Sequence, residues 1–235
     1  MKYCLILFSV FFSLNLSMGQ NRKEQKIIDS YLQVSNQKIG DKHMPLVKWN
    51  QDSIGYFIYG KMKGMTQKKW ERFLGKIEKL SGLHFYKVES NQKAQILIYF
   101  GNITDYFKYE GIDNKFKIPS GWVNWSQRAY DFSFGLTKTS FCIDKDEVHN
   151  FNYLRYMLKH SFLEALGIFG LMENKTCILS NEYSQKQRNS SLKRIDKNCI
   201  ALHYSDVIKS GMKKKEVEYA VSADNVVNSI LENVK

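Results

Sequence analysis

The chain has 235 residues, 43% of them hydrophobic and 14% aromatic, with only two prolines. These proportions exclude a linker-rich or disordered protein and suit one domain with a sizeable core. The formal charge is +12, but 29 lysines against 6 arginines, without RGG, zinc-finger or RNP patterning, argue against a nucleic-acid reader and for a diffusely lysine-rich, solvated surface.

Lys2 precedes an almost unbroken apolar run, Tyr3 to Leu16, and Ser17-Met18-Gly19 then supplies small residues at an export-peptidase site. Residues 1–19 are therefore predicted to be a signal peptide that is removed, leaving Gln20 as the new N-terminus and the mature protein periplasmic or secreted. A spanning helix needs roughly 20 apolar residues, and this run is shorter and carries Asn15. Cys4 lies before the run, which is the wrong order for a lipoprotein. No later segment is long and apolar enough to span a bilayer, so no membrane span is expected in the mature chain.

Residues 20–45 are expected to form an N-terminal helical extension, with Ile27, Ile28, Tyr31 and Leu32 on one stripe. A single domain should follow over 46–235. Leu46 to Trp49 leads into a strand over Ile54 to Tyr59. Thr66 reads as an N-cap for a helix carrying Trp70, Phe73, Leu74, Ile77 and Leu80, which Gly82 stops. Strands are predicted over His84 to Val88, Ala94 to Phe100 and Thr139 to Ile143. Residues 101–137 show no clear period, with a short strand at Gly121 to Trp125. A long helix is predicted from Asn152 to Leu166, ended by Gly167. A polar loop over 172–190, a helix from Leu192 to His203 and a final helix over Ala223 to Val234 complete the chain. Lys213-Lys214-Lys215 runs into Glu216 and Glu218 as an ordinary charged helix start. The order describes an α+β domain, a mixed sheet packed on a long central helix plus C-terminal helices. The same order fits the upper half of a zinc-dependent metalloprotease.

The long helix carries the sharpest motif. From His160 to Gly170 the chain reads HSFLEALGIFG, which aligns with the metzincin signature H-E-x-x-H-x-x-G-x-x-H. In that signature two histidines on one helix face hold zinc, the glutamate is the general base, and the glycine turns the chain so that a third histidine reaches the metal. His160 keeps the first ligand and Gly167 the turn, whereas Ser161, Glu164 and Gly170 replace the base and the other two ligands. Serine has no basicity near neutral pH. His160 and Glu164 could pair on a polar helix face opposite a core stripe of Leu154, Leu158, Phe162, Ala165 and Leu166. His149 lies too far along the helix to complete a shell, and His203 is the best long-range candidate. The expectation is a cleft remnant made by His160, Glu164 and Gly167, with no catalytic residue and no cofactor. The alternative is a divergent zinc peptidase using His160, Glu164 and an unseen third ligand.

The chain resembles a family of exported bacterial proteins of unknown function, the DUF2927 family. The resemblance rests on Lys48-Trp49 before the Ile54 to Gly60 strand, the Trp70 to Leu83 helix ending in Ser81-Gly82-Leu83, the Ala94 to Phe100 strand, and Glu164-Ala165-Leu166-Gly167. It continues through Ile178-Leu179-Ser180, Ile195-Asp196, Leu202-His203-Tyr204 and Ser210-Gly211-Met212. It spans about Leu46 to Glu218 and implies export and a metzincin-like fold with a degenerate zinc motif. Where the family usually shows Glu-Glu-x-x-Gln, this chain has His160, Ser161 and Glu164; where Asn-Asp commonly follows the glycine, it has Gly170-Leu171. The leading reading is a non-catalytic domain that binds a peptide, protein or envelope component along the old substrate cleft.

Three cysteines follow the signal. In an oxidising compartment a Cys177–Cys199 disulfide is expected to close the loop-rich stretch between them, with Cys142 a buried thiol. The sequons at Asn102, Asn124, Asn174 and Asn189 arise readily by chance in an Asn- and Ser-rich chain. Asp144-Lys145-Asp146-Glu147 lacks the later ligands of a calcium loop and reads as a solvated helix lead-in. Trp122, Trp125, Tyr130, Phe132 and Phe134 either line a ligand groove or pack as core, and packing is the commoner use of large aromatics.

Overall fold

The computed structural model describes residues 22–35, 38–39, 42–62, 65–112, 122–148, 150–170, 172, 177–180, 191–223 and 226–232. The predicted export signal over residues 1–19, Gly121, His149, Leu171, Asn174, Asn189 and most of the polar loop before residue 190 lie outside the described residues. The elements in chain order are α1 (22–35), β1 (Lys38–Ile39), β2 (Lys42–His43), β3 (Ser53–Tyr59), α2 (Gln67–Ser81), β4 (His84–Lys87) and β5 (Ile96–Gly101). There follow α3 (Ile103–Glu110), β6 (Asn124–Tyr130), β7 (Leu136–Asp144), α4 (Phe151–Ala165), α5 (Arg194–His203), α6 (Lys214–Ser222) and α7 (Val226–Glu232).

Five strands form one mixed sheet in the order β4-β3-β5-β7-β6. β3 runs parallel to β4 and β5, β5 runs parallel to β7, and β6 lies antiparallel to β7 at the edge. β1 and β2 pair as a separate short ribbon. The fold is therefore α+β, with a mixed five-stranded sheet and helices packed on it. Among the described residues, no helix is long and apolar enough to cross a membrane.

Alternation along the inner strands sorts side chains between two cores. Ile96, Ile98 and Phe100 of β5 join the main core, together with Phe141 and Ile143 of β7. Tyr99 and Cys142 face the other way, onto Ile103, Tyr106 and Phe107 of α3. Every residue of β5 is buried, which explains its nearly continuous apolar sequence; a strand covered on both faces has no polar side to alternate.

On the main face, α2 buries Trp70, Phe73, Leu74 and Ile77. Phe162 of α4 meets the rings of Trp70, Phe85 and Phe73 at centroid distances of 5.1, 5.3 and 5.9 Å. The ends of α2 are set as the sequence predicts. The Thr66 side chain accepts from the Lys69 N–H at 3.3 Å, and Gly82 sits at φ 74°. Thr66→Ala is expected to cost about 1 kcal/mol by losing that cap, read as a lower urea midpoint with an unchanged m-value.

Two elements differ from expectation. α3 was not apparent in the region without a period, because eight residues give too few turns for one. Its brackets are nevertheless in the sequence: the Asn102 side chain caps the Thr104 N–H, and Gly111 ends the helix at φ 68°. β6 is longer than expected and begins later; its residues are half-buried or exposed, as suits an edge strand. α1 packs its apolar stripe inward, and Ile28, Tyr31 and Val34 belong to the main core. At the C-terminus α6 starts beside the lysine cluster, with the Lys213 N–H bonded to Glu216 Oε2 at 2.6 Å.

Candidate functional site

α4 does not present the polar face that its sequence suggested. His160 and Ser161 are fully buried, as are Tyr156, Met157 and Leu163. The cause is a cover of chain from later in the sequence. The Ile178–Ser180 segment lies over this side of α4, where the His160 Nδ1–H donates to the Ile178 carbonyl at 2.7 Å. Tyr156 donates its hydroxyl to the Ser180 carbonyl at 3.2 Å, and its ring stacks on His160 at 5.7 Å. Asp196 of α5 fastens the cover, accepting from the N–H groups of Ile178 at 3.0 Å, Leu179 at 3.2 Å and Lys193 at 2.7 Å.

His160 and Glu164 do come together, with Nε2 and Oε1 3.7 Å apart. Burial opposes charge on the imidazole, but the Glu164 carboxylate, the Ile178 carbonyl and Asp196 outweigh it and raise its pKa above the usual histidine value. The nearby Glu164 carboxylate thus favours the charged form of the ring. Burial conversely pushes the Asp196 carboxyl up, against the pull of its three N–H donors and of His160.

Two residues of β6 that the sequence reading did not connect with α4 join this polar cluster. Asn124 donates through Nδ2 to Ser161 Oγ at 3.3 Å. Arg128 stacks its guanidinium on Phe169 at 4.0 Å and donates to Ser126 Oγ at 3.2 Å. Burial lowers the pKa of Arg128, and the charge of Glu164 opposes that shift. The edge strand is therefore tied to α4 at the positions where the metzincin signature carries its base and ligands. Alternating polar residues in Asn124-Trp125-Ser126-Gln127-Arg128 were the available signal.

No family model and no curated protein matches the chain.

The described residues fit a zinc centre poorly. A catalytic zinc site takes about three protein ligands, and among the described residues no three histidine, cysteine or carboxylate groups converge. His203 does not complete the pair. Its Nε2–H donates to the Val47 carbonyl at 3.2 Å, and its Nδ1 accepts from the Tyr31 hydroxyl at 3.3 Å. Burial and the nearby Lys48 charge lower its pKa to about 3, so the ring is neutral. Gly167 ends α4 as expected, at φ 94°, and any Cβ there would lie 2.1 Å from the Val47 carbonyl oxygen. The third-ligand position is closed more firmly: a Cβ at Gly170 would lie 1.9 Å from the Gln33 carbonyl oxygen at the end of α1. The helix expected to be an extension occupies the space that a third ligand would need.

The remaining candidates have structural explanations. No disulfide joins the described cysteines; Cys142, Cys177 and Cys199 are all buried. The expected Cys177–Cys199 bridge is not formed in this structure, and both thiols sit in the main core. Burial and the Asp196 charge keep them protonated, with Cys177 pushed up to about 12. Asp144 is buried and not part of a solvated lead-in. Its oxygens accept from the N–H groups of Ile103 at 3.0 Å, Asp146 at 2.9 Å and Glu147 at 3.3 Å. Asn102 and Asn124 both use their side chains in internal hydrogen bonds.

The aromatics around β6 depart most from the core expectation. Trp125 packs on Phe107 at 5.1 Å. Trp122 and Tyr130, however, are 43% and 46% exposed, and Phe132 is wholly exposed. Phe132 sits on a tightly tied turn: Asp131 Oδ1 accepts from the Ser133 N–H and hydroxyl and from the Gly135 N–H, at 2.8, 2.6 and 2.9 Å.

Proposed function

We propose that the mature chain is an exported, non-catalytic domain of metzincin-like fold that binds an extended peptide or protein segment along the outer edge of β6. The sheet order, the antiparallel edge strand and the long helix that follows β7 support the fold assignment, as does the resemblance carried by the 46–218 segments. One observation carries the binding reading: the edge strand β6 has exposed large aromatics at both ends, Trp122 before it, Tyr130 as its last residue and Phe132 just after it. Edge strands offer backbone N–H and C=O groups to an added strand, and aromatics are enriched where such partners seat. The internal pairing of His160 with Glu164 and Ile178 supports a role for α4 as a rigid backing to that edge, without proton-transfer chemistry.

Peptide-library panning against the immobilised mature chain, followed by hydrogen exchange, tests this. Selected peptides are expected to slow exchange of amides within 124–130 and to bind at least about tenfold more weakly to Phe132→Ser. Peptides that protect other surfaces and leave 124–130 unchanged would overturn the binding reading. The 3.7 Å approach of His160 to Glu164 is the one feature favouring a zinc peptidase. Purified mature protein that retains stoichiometric zinc, and loses it in His160→Ala, would establish that alternative instead.

A further inference from the structure

Alternation along β6 sorts its side chains between the two faces of the sheet. Trp125 turns toward α3 and packs on Phe107 at 5.1 Å. Asn124 and Arg128 turn the other way, to Ser161 of α4 and to the ring of Phe169. On its inner side Arg128 stands opposite Thr139 of β7. On its outer side no strand of the sheet faces it, because β6 ends the sheet. A strand added along that edge therefore places one of its own side chains opposite Arg128 on the same face, with Cβ atoms about 4.5–5.5 Å apart.

The chemistry of Arg128 selects what that side chain is. A guanidinium carries five N–H donors and no acceptor. Among the described residues Arg128 makes one hydrogen bond, from Nη2 to Ser126 Oγ at 3.2 Å, and its Nε is buried without a partner. The hydroxyl of Thr139, its buried cross-strand neighbour, likewise has no partner. No ion pair joins Arg128 to a described carboxylate. Glu164 acts on it through space, and His160 already lies 3.7 Å from the Glu164 carboxylate. A half-buried guanidinium with unmet donors is costly. A carboxylate answers it best, since its two oxygens match the planar fork by parallel hydrogen bonds. A cationic side chain opposite Arg128 would be repelled, and an apolar one would leave the donors unmet. Glu164 also bounds the charge, because a doubly charged phosphoryl group would meet more repulsion from it than a single carboxylate does.

We infer that Arg128 is the specificity-determining residue of the β6 edge, pairing with an Asp or Glu side chain that the bound segment places opposite it. The inference rests on the edge-strand reading of function and adds the chemical class of the partner, an extended segment with a carboxylate at one fixed position.

Panning a displayed random-heptapeptide library on the parent and on Arg128→Glu tests this. The parent is expected to select peptides sharing Asp or Glu at one position, and Arg128→Glu to select Lys or Arg there. Calorimetry then compares a selected synthetic peptide with the same peptide carrying the amide in place of the shared acid. Losing the carboxylate should weaken binding to the parent at least about fivefold, and binding to Arg128→Gln by less than about twofold. Lys138 of β7 stands opposite Ala129, one residue along the strand from Arg128. Lys138→Gln should keep the full fivefold effect, which separates a specific pair from the general positive field of the chain. Peptides that protect 124–130 but share no acid would overturn this inference and leave the edge reading standing. So would an acid that counts equally on the parent and Arg128→Gln, or one whose effect Lys138→Gln abolishes. Peptides that protect only other surfaces would overturn both.

Discussion

Gly170→Ala is expected to destabilise the protein by about 4 kcal/mol or more, an effect in the range reserved for overpacked or strained positions. The added Cβ would lie 1.9 Å from the Gln33 carbonyl oxygen, 2.4 Å from Val34 Cα and 2.7 Å from the Gln33 carbonyl carbon. All three are backbone atoms, so no rotamer change relieves the overlap. The two segments are also pinned, because the Gly170 N–H donates to the Val34 carbonyl at 2.9 Å. Relief requires the end of α1 to retreat, which would draw Tyr31 and Val34 out of the main core. Gly75 provides the contrast. It lies within α2, the nearest atom to an added Cβ is 4.0 Å away, and Gly75→Ala should stabilise by roughly 0.5–1 kcal/mol. Urea unfolding of both variants measures the difference. A Gly170→Ala protein within about 1 kcal/mol of the parent would mean that α1 does not close against this turn in solution, and the space for a third metal ligand would be open again.

The second large effect is acid destabilisation through His203. Its folded pKa, about 3, lies far below the usual histidine value of 6.5, because burial and Lys48 disfavour the imidazolium. The unfolded chain therefore binds a proton that the folded chain refuses. Stability from this group is complete above pH 6.5 and falls by about 1.4 kcal/mol per pH unit as pH drops from there toward 3. At pH 4.5 the loss is about 3 kcal/mol. His160 has the opposite sign: its raised pKa stabilises the fold fully below pH 6.5, and that contribution is lost as pH rises through the folded value. Comparing the parent with His203→Gln isolates the first term, since His160 and Asp196 contribute to both. The advantage of the parent over His203→Gln should shrink by about 3 kcal/mol between pH 6.5 and 4.5. Parallel stability profiles would show that His203 takes up its proton without unfolding.

Much of the fold was legible because local signals there agreed with tertiary demands. Thr66 and Gly82 bracket α2 in sequence and cap it in space, and Trp70, Phe73 and Ile77 keep the spacing of the face they bury. The strands β3, β4, β5 and β7 came from β-branched and aromatic runs that the sheet covers. α3 escaped because its only strong local marks are its two caps, and β6 was placed too early and too short because an edge strand alternates weakly.

The candidate site was legible as residues but not as chemistry. Spacing alone puts His160 and Glu164 on one helix face and puts Gly167 at the turn; both hold in the structure. Whether that face meets solvent depends on chain far away in sequence. Ile178 and Asp196 cover it, Asn124 and Arg128 join it from the edge strand, and Gln33 fills the position of a third ligand. The same distinction divides the charge. Composition gave a lysine-rich chain and a diffuse surface, while the strand order left Arg128 at the edge of the sheet with no strand on its outer side. Helix and strand periodicity act over a few residues and are written locally, whereas burial and electrostatic environment are set by which elements the folded chain brings into contact.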